Sequence, residues 1–235
     1  MPSVRDERGY NQGWSGTAAL SVRAERRCAL IASKMEAVPG RRVLEIGCGR
    51  GEMARQLARM TGMRVRGADI SEQFIDQARA SATEDNVSFS TVDFLRPGQL
   101  LDEKFDYIVG NGILHHLYAG IDASLERMRA MLTEGGSVVF LEPNLHNPYV
   151  YLIFTRPSLR RLARLEPDEM AFTKAFISVR LHQAGFSDVQ VEYRDFLLPG
   201  VPDWLVRPIV AVGGIAERTP AIKHLAQSLF ICAAP

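Results

Sequence analysis

The spacing of apolar positions changes several times along the chain. Between residues 18 and 38, Leu20, Ala24, Cys28, Leu30, Ile31 and Met35 recur at helical intervals until Pro39-Gly40 interrupts them. Residues 42–46 form a short apolar run that reads as a buried strand, and 52–61 return to helical spacing. A second strand is predicted over 64–70, a helix over 72–82 with Ser71 as its N-cap, and further strands over 87–92 and 105–111. A helix is expected over 125–132, closed by Glu134-Gly135-Gly136, and a fifth strand over 137–142.

Strands that alternate with helices in this way predict βαβ units and a parallel sheet covered on both faces. The rhythm breaks after Glu142. Residues 143–172 hold prolines, tyrosines and the basic stretch RRLAR, with weak periodicity. A helix resumes over 173–184, a strand over 189–193, then the apolar segment FLLPGVPDWLVRPIVAVGGIAERTP and a last strand over 229–233. Two late strands joined by a long connection point to an antiparallel edge. The expectation is one α/β domain over 1–235, a doubly wound, mostly parallel seven-stranded sheet with an antiparallel last strand. Residues 1–38 would form a helical N-terminal cap, and 143–172 and 197–222 two insertions on the substrate side.

Composition narrows the function. Lys and Arg total 28 against 27 Asp and Glu, so no basic excess suggests a nucleic-acid partner. Cys28, Cys48 and Cys232 show no metal-ligand spacing, which reads as reduced thiols in a cytoplasmic protein, and no metal site is expected. The first residues, MPSVRDERGYNQGW, carry no apolar core of a secretory signal, and no apolar run reaches the roughly 18 residues of a membrane span.

The chemistry is announced by VLEIGCGRGEMARQLA, where a strand carrying Glu45 breaks into Gly47, Gly49 and Gly51 before a helix. Glycines there allow positive φ and close approach of a ligand, and the helix start offers free N–H groups. The dinucleotide fingerprint would need its third glycine at position 52, where this chain has Glu52. Asp69 ends the second strand, placed to accept from ribose hydroxyls. Asp93-Phe94 follows the third strand and Asn111-Gly112 the fourth. All of these positions fall at the carboxyl edge of the sheet, where open α/β folds bind ligands.

In this order the motifs resemble those of the class I S-adenosylmethionine-dependent methyltransferases. VLEIGCGRG is similar to the family's first motif, GADIS to the acid after the second strand and VDF to the third-strand motif. FDYIVGNGILHHL and LTEGGSVVFLEPN resemble the fourth- and fifth-strand motifs. The resemblance covers 43–142 and extends to the quinone-biosynthesis and natural-product branches. It implies S-adenosyl-L-methionine as cofactor. Glu45 would lie near its amine, with Gly47, Cys48, Gly49 and Gly51 against the amino-acid portion. Asp69 would bind the ribose and Ile70 touch the adenine. Asp93 would accept from the adenine amine with Phe94 beside it, and Asn111, followed by Gly112, would offer a carbonyl near the amine.

Methyl transfer needs alignment and exclusion of water, and a base where the acceptor is a hydroxyl. His115 and His116 follow the fourth strand and are the candidates, His115 first. The alternative is that they order the loop. Glu142 and His146 come next, as residues on the substrate side. His182 and His224 read as helix-surface residues. The position of the NPPY sequence of nucleic-acid amino-methylases holds NGIL, which argues against a nucleobase. Tyr10 and Trp14 are candidates to close the site. The apolar segment after 197 is expected to roof an apolar acceptor, to form a homodimer interface or to be core. The expected function is methylation of a small apolar or aromatic metabolite, at oxygen first and at carbon or nitrogen as options. The competitors are a nicotinamide-dependent oxidoreductase and a binder of the cofactor that transfers no methyl group.

Overall fold

A computed structural model describes residues 18–96, 103–163, 165–167, 169–198 and 200–235. Tyr10 and Trp14 lie outside the described residues. In chain order the strands are β1 (Arg42–Ile46), β2 (Arg64–Asp69), β3 (Val87–Thr91), β4 (Phe105–Asn111), β5 (Leu132–Pro143), β6 (Asp188–Arg194) and β7 (Ser228–Ala234). They form a single seven-stranded sheet in the order β3-β2-β1-β4-β5-β7-β6. β1 to β5 pair in parallel, while β7 runs antiparallel to both β5 and β6. The predicted α/β class and antiparallel edge are therefore present. The direction of winding reverses between β1 and β4, the place where open sheets of this kind leave a crevice.

The near-continuous apolar runs are explained by burial on both faces. Successive residues of a strand point to opposite sides. Val43, Val139 and Leu141 join one core with Cys28, Ile31, Met53, Leu57 and Ile75, while Leu44, Val138 and Phe140 join another with Leu125, Met128, Ile177 and Leu181. The first core is roofed by α1 (Ala18–Ala32), α2 (Glu52–Thr61) and α3 (Glu72–Ser81), the second by α4 (Ile121–Ala130) and α7 (Lys174–Gln183). Side-chain caps fix several helix starts. Ser71 Oγ accepts from Phe74 N–H at the start of α3, and Thr173 Oγ1 accepts from Phe176 N–H at the start of α7.

Three segments differ from expectation. α1 ends at Ala32 instead of running to 38, because Pro39-Gly40 is preceded by a tight turn. β5 begins at Leu132, before the glycine pair, which the strand accommodates with an irregular register against β4. The insertion after β5 folds as α5 (Pro148–Thr155) and α6 (Pro157–Leu162). The second insertion contains α8 (Asp203–Ala216), which continues through Pro208.

α1 is fastened to the sheet by an ionic knot. Arg27 Nε pairs with Asp195 Oδ2 at 3.0 Å, its Nη1 donates to Asn111 Oδ1 at 2.9 Å and its Nη2 to Ser228 Oγ at 2.6 Å. Arg23 adds a second contact to Asp195 at 3.3 Å. Asp195 is buried and holds φ at 69°, a left-handed conformation that its hydrogen bonds from Leu197 N–H and Glu217's acceptance of its own N–H help to fix. Burial disfavours its charge, yet Arg27 and Arg23 outweigh that and hold its carboxyl below the usual range. Its contribution is thus present above the unfolded value and lost as pH falls through the folded one. Arg27→Ala leaves the Asp195 carboxylate short of its main partner and is expected to destabilise the chain by about 3 kcal/mol, measured by urea unfolding. Arg27→Lys should recover little of it, since an ammonium cannot make three directed bonds in one plane. A loss under about 0.5 kcal/mol for both would show that α1 is held by its apolar face alone.

Candidate active site

The glycine turn between β1 and α2 is built by close packing. Gly47 and Gly51 have φ of 68° and 76°. A Cβ on Gly47 would lie 2.6 Å from Ile113, and one on Gly51 would lie 2.4 Å from Phe89. Neither position therefore tolerates a side chain. Gly47 and Cys48 donate their N–H groups to Ala68 O, and Gly49 N–H donates to Asp69 Oδ2 at 2.8 Å. Asp69 Oδ1 accepts from Ser71 N–H at 2.9 Å, so this one carboxylate ties the turn to the end of β2. Burial raises the Asp69 carboxyl above its ordinary value, and the two amides offset this only in part.

Glu45 is 3% exposed, and its Oε2 is buried with no hydrogen-bond partner among the described residues. Burial raises its carboxyl well above the ordinary value, the charges of Glu52 and Asp69 push the same way, and the Ala54 N–H works against them. A buried, unpaired carboxylate oxygen under a glycine turn is an acceptor prepared for a cationic group. This fits the ammonium of an amino-acid cofactor and does not fit a phosphate.

The other edge residues are placed as follows. Ile70 is exposed at the end of β2. Asp93 Oδ1 accepts from Leu95 N–H and its Oδ2 pairs with Arg96 at 3.0 Å. Phe94 is buried in the core with the Arg127 guanidinium over its ring, so its ring faces inward. Asn111 had been expected to offer a carbonyl to the cofactor. Its side-chain carbonyl accepts from Arg27 Nη1 at 2.9 Å. Gly112, at φ 68°, donates its N–H to Leu141 O and starts the turn into the histidines.

That turn is a short 3₁₀ helix, Leu114–Gly120. Its free N–H groups are satisfied by Glu142, whose Oε1 accepts from Ile113 and Leu114 at 2.9 and 2.7 Å and whose Oε2 accepts from His115 at 3.3 Å. Oε2 also meets His115 Nδ1 at 2.8 Å. Glu142 was expected on the substrate side. It is 1% exposed, and both of its oxygens are engaged beneath the turn, one of them with the His115 ring. His146 is exposed, with its N–H on Asn144 Oδ1.

His116 lies against His115 with ring centroids 4.2 Å apart and planes tilted by 37°, and its Nδ1 lies 3.0 Å from Glu169 Oε1. Burial opposes charge on His116, but Glu169 outweighs it and raises the imidazole above its usual value. The same pairing lowers the Glu169 carboxyl against the effect of burial. Glu169, on the segment after α6, carries no sequence signal. The segment is held over the turn by Met170 N–H to His115 O and by the bridge between Asn144 and Phe172.

The methyltransferase-domain family matches residues 43–136. Aklanonic acid methyltransferase DauC of Streptomyces sp. (strain C5) is 36% identical over 113 residues, covering 46% of this chain and 50% of that protein. A ubiquinone biosynthesis O-methyltransferase of Neisseria meningitidis is 31% identical over 116 residues, covering 48% of each. The chain thus spans about half the length of the curated relatives it matches. Among solved structures, the methyltransferase in complex with the Trm112 activator of Haloferax volcanii superposes with a TM-score of 0.67 at 20% identity, over 99% of both chains. The family match over residues 43–136, the order of the motifs and the strand order agree, and the chain is similar in these respects to the class I S-adenosylmethionine-dependent methyltransferases.

Proposed function

We propose that this chain binds S-adenosyl-L-methionine and transfers its methyl group to an oxygen of a small apolar or aromatic metabolite. The observation that carries the reading is the unpaired Glu45 carboxylate oxygen under the glycine turn, next to the ribose-side acid Asp69. The cofactor supplies an electrophilic methyl on a sulfonium. Glu45 would hold its ammonium, Asp69 its ribose and Asp93 its adenine amine. Relatives that act on aklanonic acid and in ubiquinone biosynthesis support an aromatic acceptor. The nicotinamide reading has no support from the family match.

His115 is the base for the acceptor hydroxyl. Glu142 fixes Nδ1 at 2.8 Å, which leaves Nε2 as the nitrogen that takes the proton. A carboxylate on the far nitrogen orients the ring and stabilises the imidazolium that forms.

Mass spectrometry of small molecules released by denaturing the purified chain tests the cofactor. S-adenosylmethionine or S-adenosylhomocysteine is expected, and a nicotinamide dinucleotide in their place would overturn the reading. Cofactor affinity should also depend on pH in a defined sense. A protonated Glu45 cannot pair with an ammonium, so affinity rises as pH climbs through the raised value of this carboxyl. The free chain responds oppositely. A raised carboxyl binds its proton more tightly when folded, so stability falls as pH rises from the unfolded value through the folded one. Glu45→Gln should flatten both profiles. Calorimetric titration with S-adenosylhomocysteine across the acid range checks the first, and a wild-type profile identical to that of the variant would remove Glu45 from the amine site.

A further inference from the structure

We propose that His115, His116 and Glu169 form a binding site for a divalent first-row transition-metal ion. The inference stands on the geometry of the turn and its covering segment and does not depend on the methyl-transfer reading. A donor atom from each of the three residues lies within 4.8 Å of the other two. His116 Nδ1 and Glu169 Oε1 are 3.0 Å apart. Two ligands at right angles on an ion, each at about 2.1 Å, stand roughly 3 Å apart, so this pair already has the spacing of neighbouring ligands.

The outer shell is also built. Metal-binding histidines characteristically donate their second ring nitrogen to a carboxylate, which fixes tautomer and orientation. Glu142 is the acceptor facing His115 Nδ1 in this way, while itself held by three backbone N–H groups. Nε2 is then the nitrogen of His115 left for an ion. Two imidazoles and one carboxylate suit zinc, iron, cobalt or manganese and leave coordination positions for water or an acceptor oxygen.

Charge favours the same conclusion. Glu142 and Glu169 are 1% and 2% exposed, the first against the His115 imidazole and the second against that of His116. Two carboxylates buried at one place need compensating positive charge. A proton on His116 supplies one unit, and a divalent ion supplies two. An ion on Nε2 of His115 also prevents that nitrogen from acting as a base, so the two occupants are mutually exclusive.

The test is a cobalt(II) titration of tag-free, chelator-stripped full chain, followed by visible absorption. One ion per chain with a saturable band is expected. His116→Ala and Glu169→Gln should abolish the band, Glu142→Gln should weaken binding roughly tenfold or more, and the exposed His224→Ala should leave it unchanged. Two cobalt-shifted imidazole N–H resonances are expected in the wild-type proton spectrum, a readout that needs no variant. Absence of a saturable band, a band that survives both ligand variants, or shifted resonances from fewer than two histidines would each overturn the proposal. Binding of S-adenosylhomocysteine, measured on the same samples, reports separately on the cofactor reading.

Discussion

His115→Ala is expected to lower turnover by roughly 10²- to 10⁴-fold while leaving affinity for S-adenosylhomocysteine within a few-fold of wild type. The ring is buried on the 3₁₀ turn between Phe154, His116 and Glu142, an element separate from the glycine turn and from Asp69 at the end of β2. The measurement is S-adenosylhomocysteine release coupled to methylated product, with a hydroxylated aromatic acceptor. Glu142→Gln should fall short of this loss. It keeps an oxygen for one of the amides but places an NH₂ against another donor, so the turn shifts and the ring loses its fixed tautomer. Near wild-type turnover in His115→Ala would show that the acceptor arrives already deprotonated or is methylated at another atom. The histidine would then only order the loop.

The parts of this molecule that the sequence made legible are those built from neighbouring residues. The β1 turn is local. Its three glycines, the strand before it and the helix after it lie within one short stretch, and the positive φ values at Gly47, Gly49 and Gly51 are what that spacing demands. Asp69 was legible because a parallel sheet brings the ends of β1 and β2 side by side, and Ile46 pairs with Ala68. Arg27 and Asp195 gave no signal. Their contact spans 168 positions in sequence, and an arginine on an amphipathic helix reads as a solvated face. Only the packing of α1 across β5 brings Arg27 to Asn111 at the end of β4, Ser228 at the start of β7 and Asp195 after β6, and so makes it a structural ion. Glu169 was hidden for the same reason, inside an irregular insertion without periodicity. Glu142 shows the opposite limit. Its position at the end of β5 was visible, but its direction was not, because it is set by the unsatisfied amides of a turn after β4.

Asp69→Ala is expected to weaken cofactor binding by about 2–4 kcal/mol, roughly 30- to 700-fold. Two losses combine. The carboxylate no longer accepts from ribose hydroxyls, each such charged hydrogen bond contributing about 1.5–3 kcal/mol. The Gly49 and Ser71 N–H groups also lose the acceptor that holds the turn against β2, so the amino-acid end of the cofactor meets a looser surface. Asp69→Asn separates the two. Its remaining carbonyl can keep one amide and most of the turn, while its NH₂ is a donor where the ribose needs an acceptor. Thermal unfolding of the free chain should therefore place Asn close to wild type and Ala lower, whereas titration with S-adenosylhomocysteine should place both well below wild type. Weak binding in Ala with full binding in Asn would assign Asp69 to the turn alone. Unchanged binding in both would remove it from the ribose site, and the glycine turn would then have to recognise its ligand through Glu45 and its own backbone.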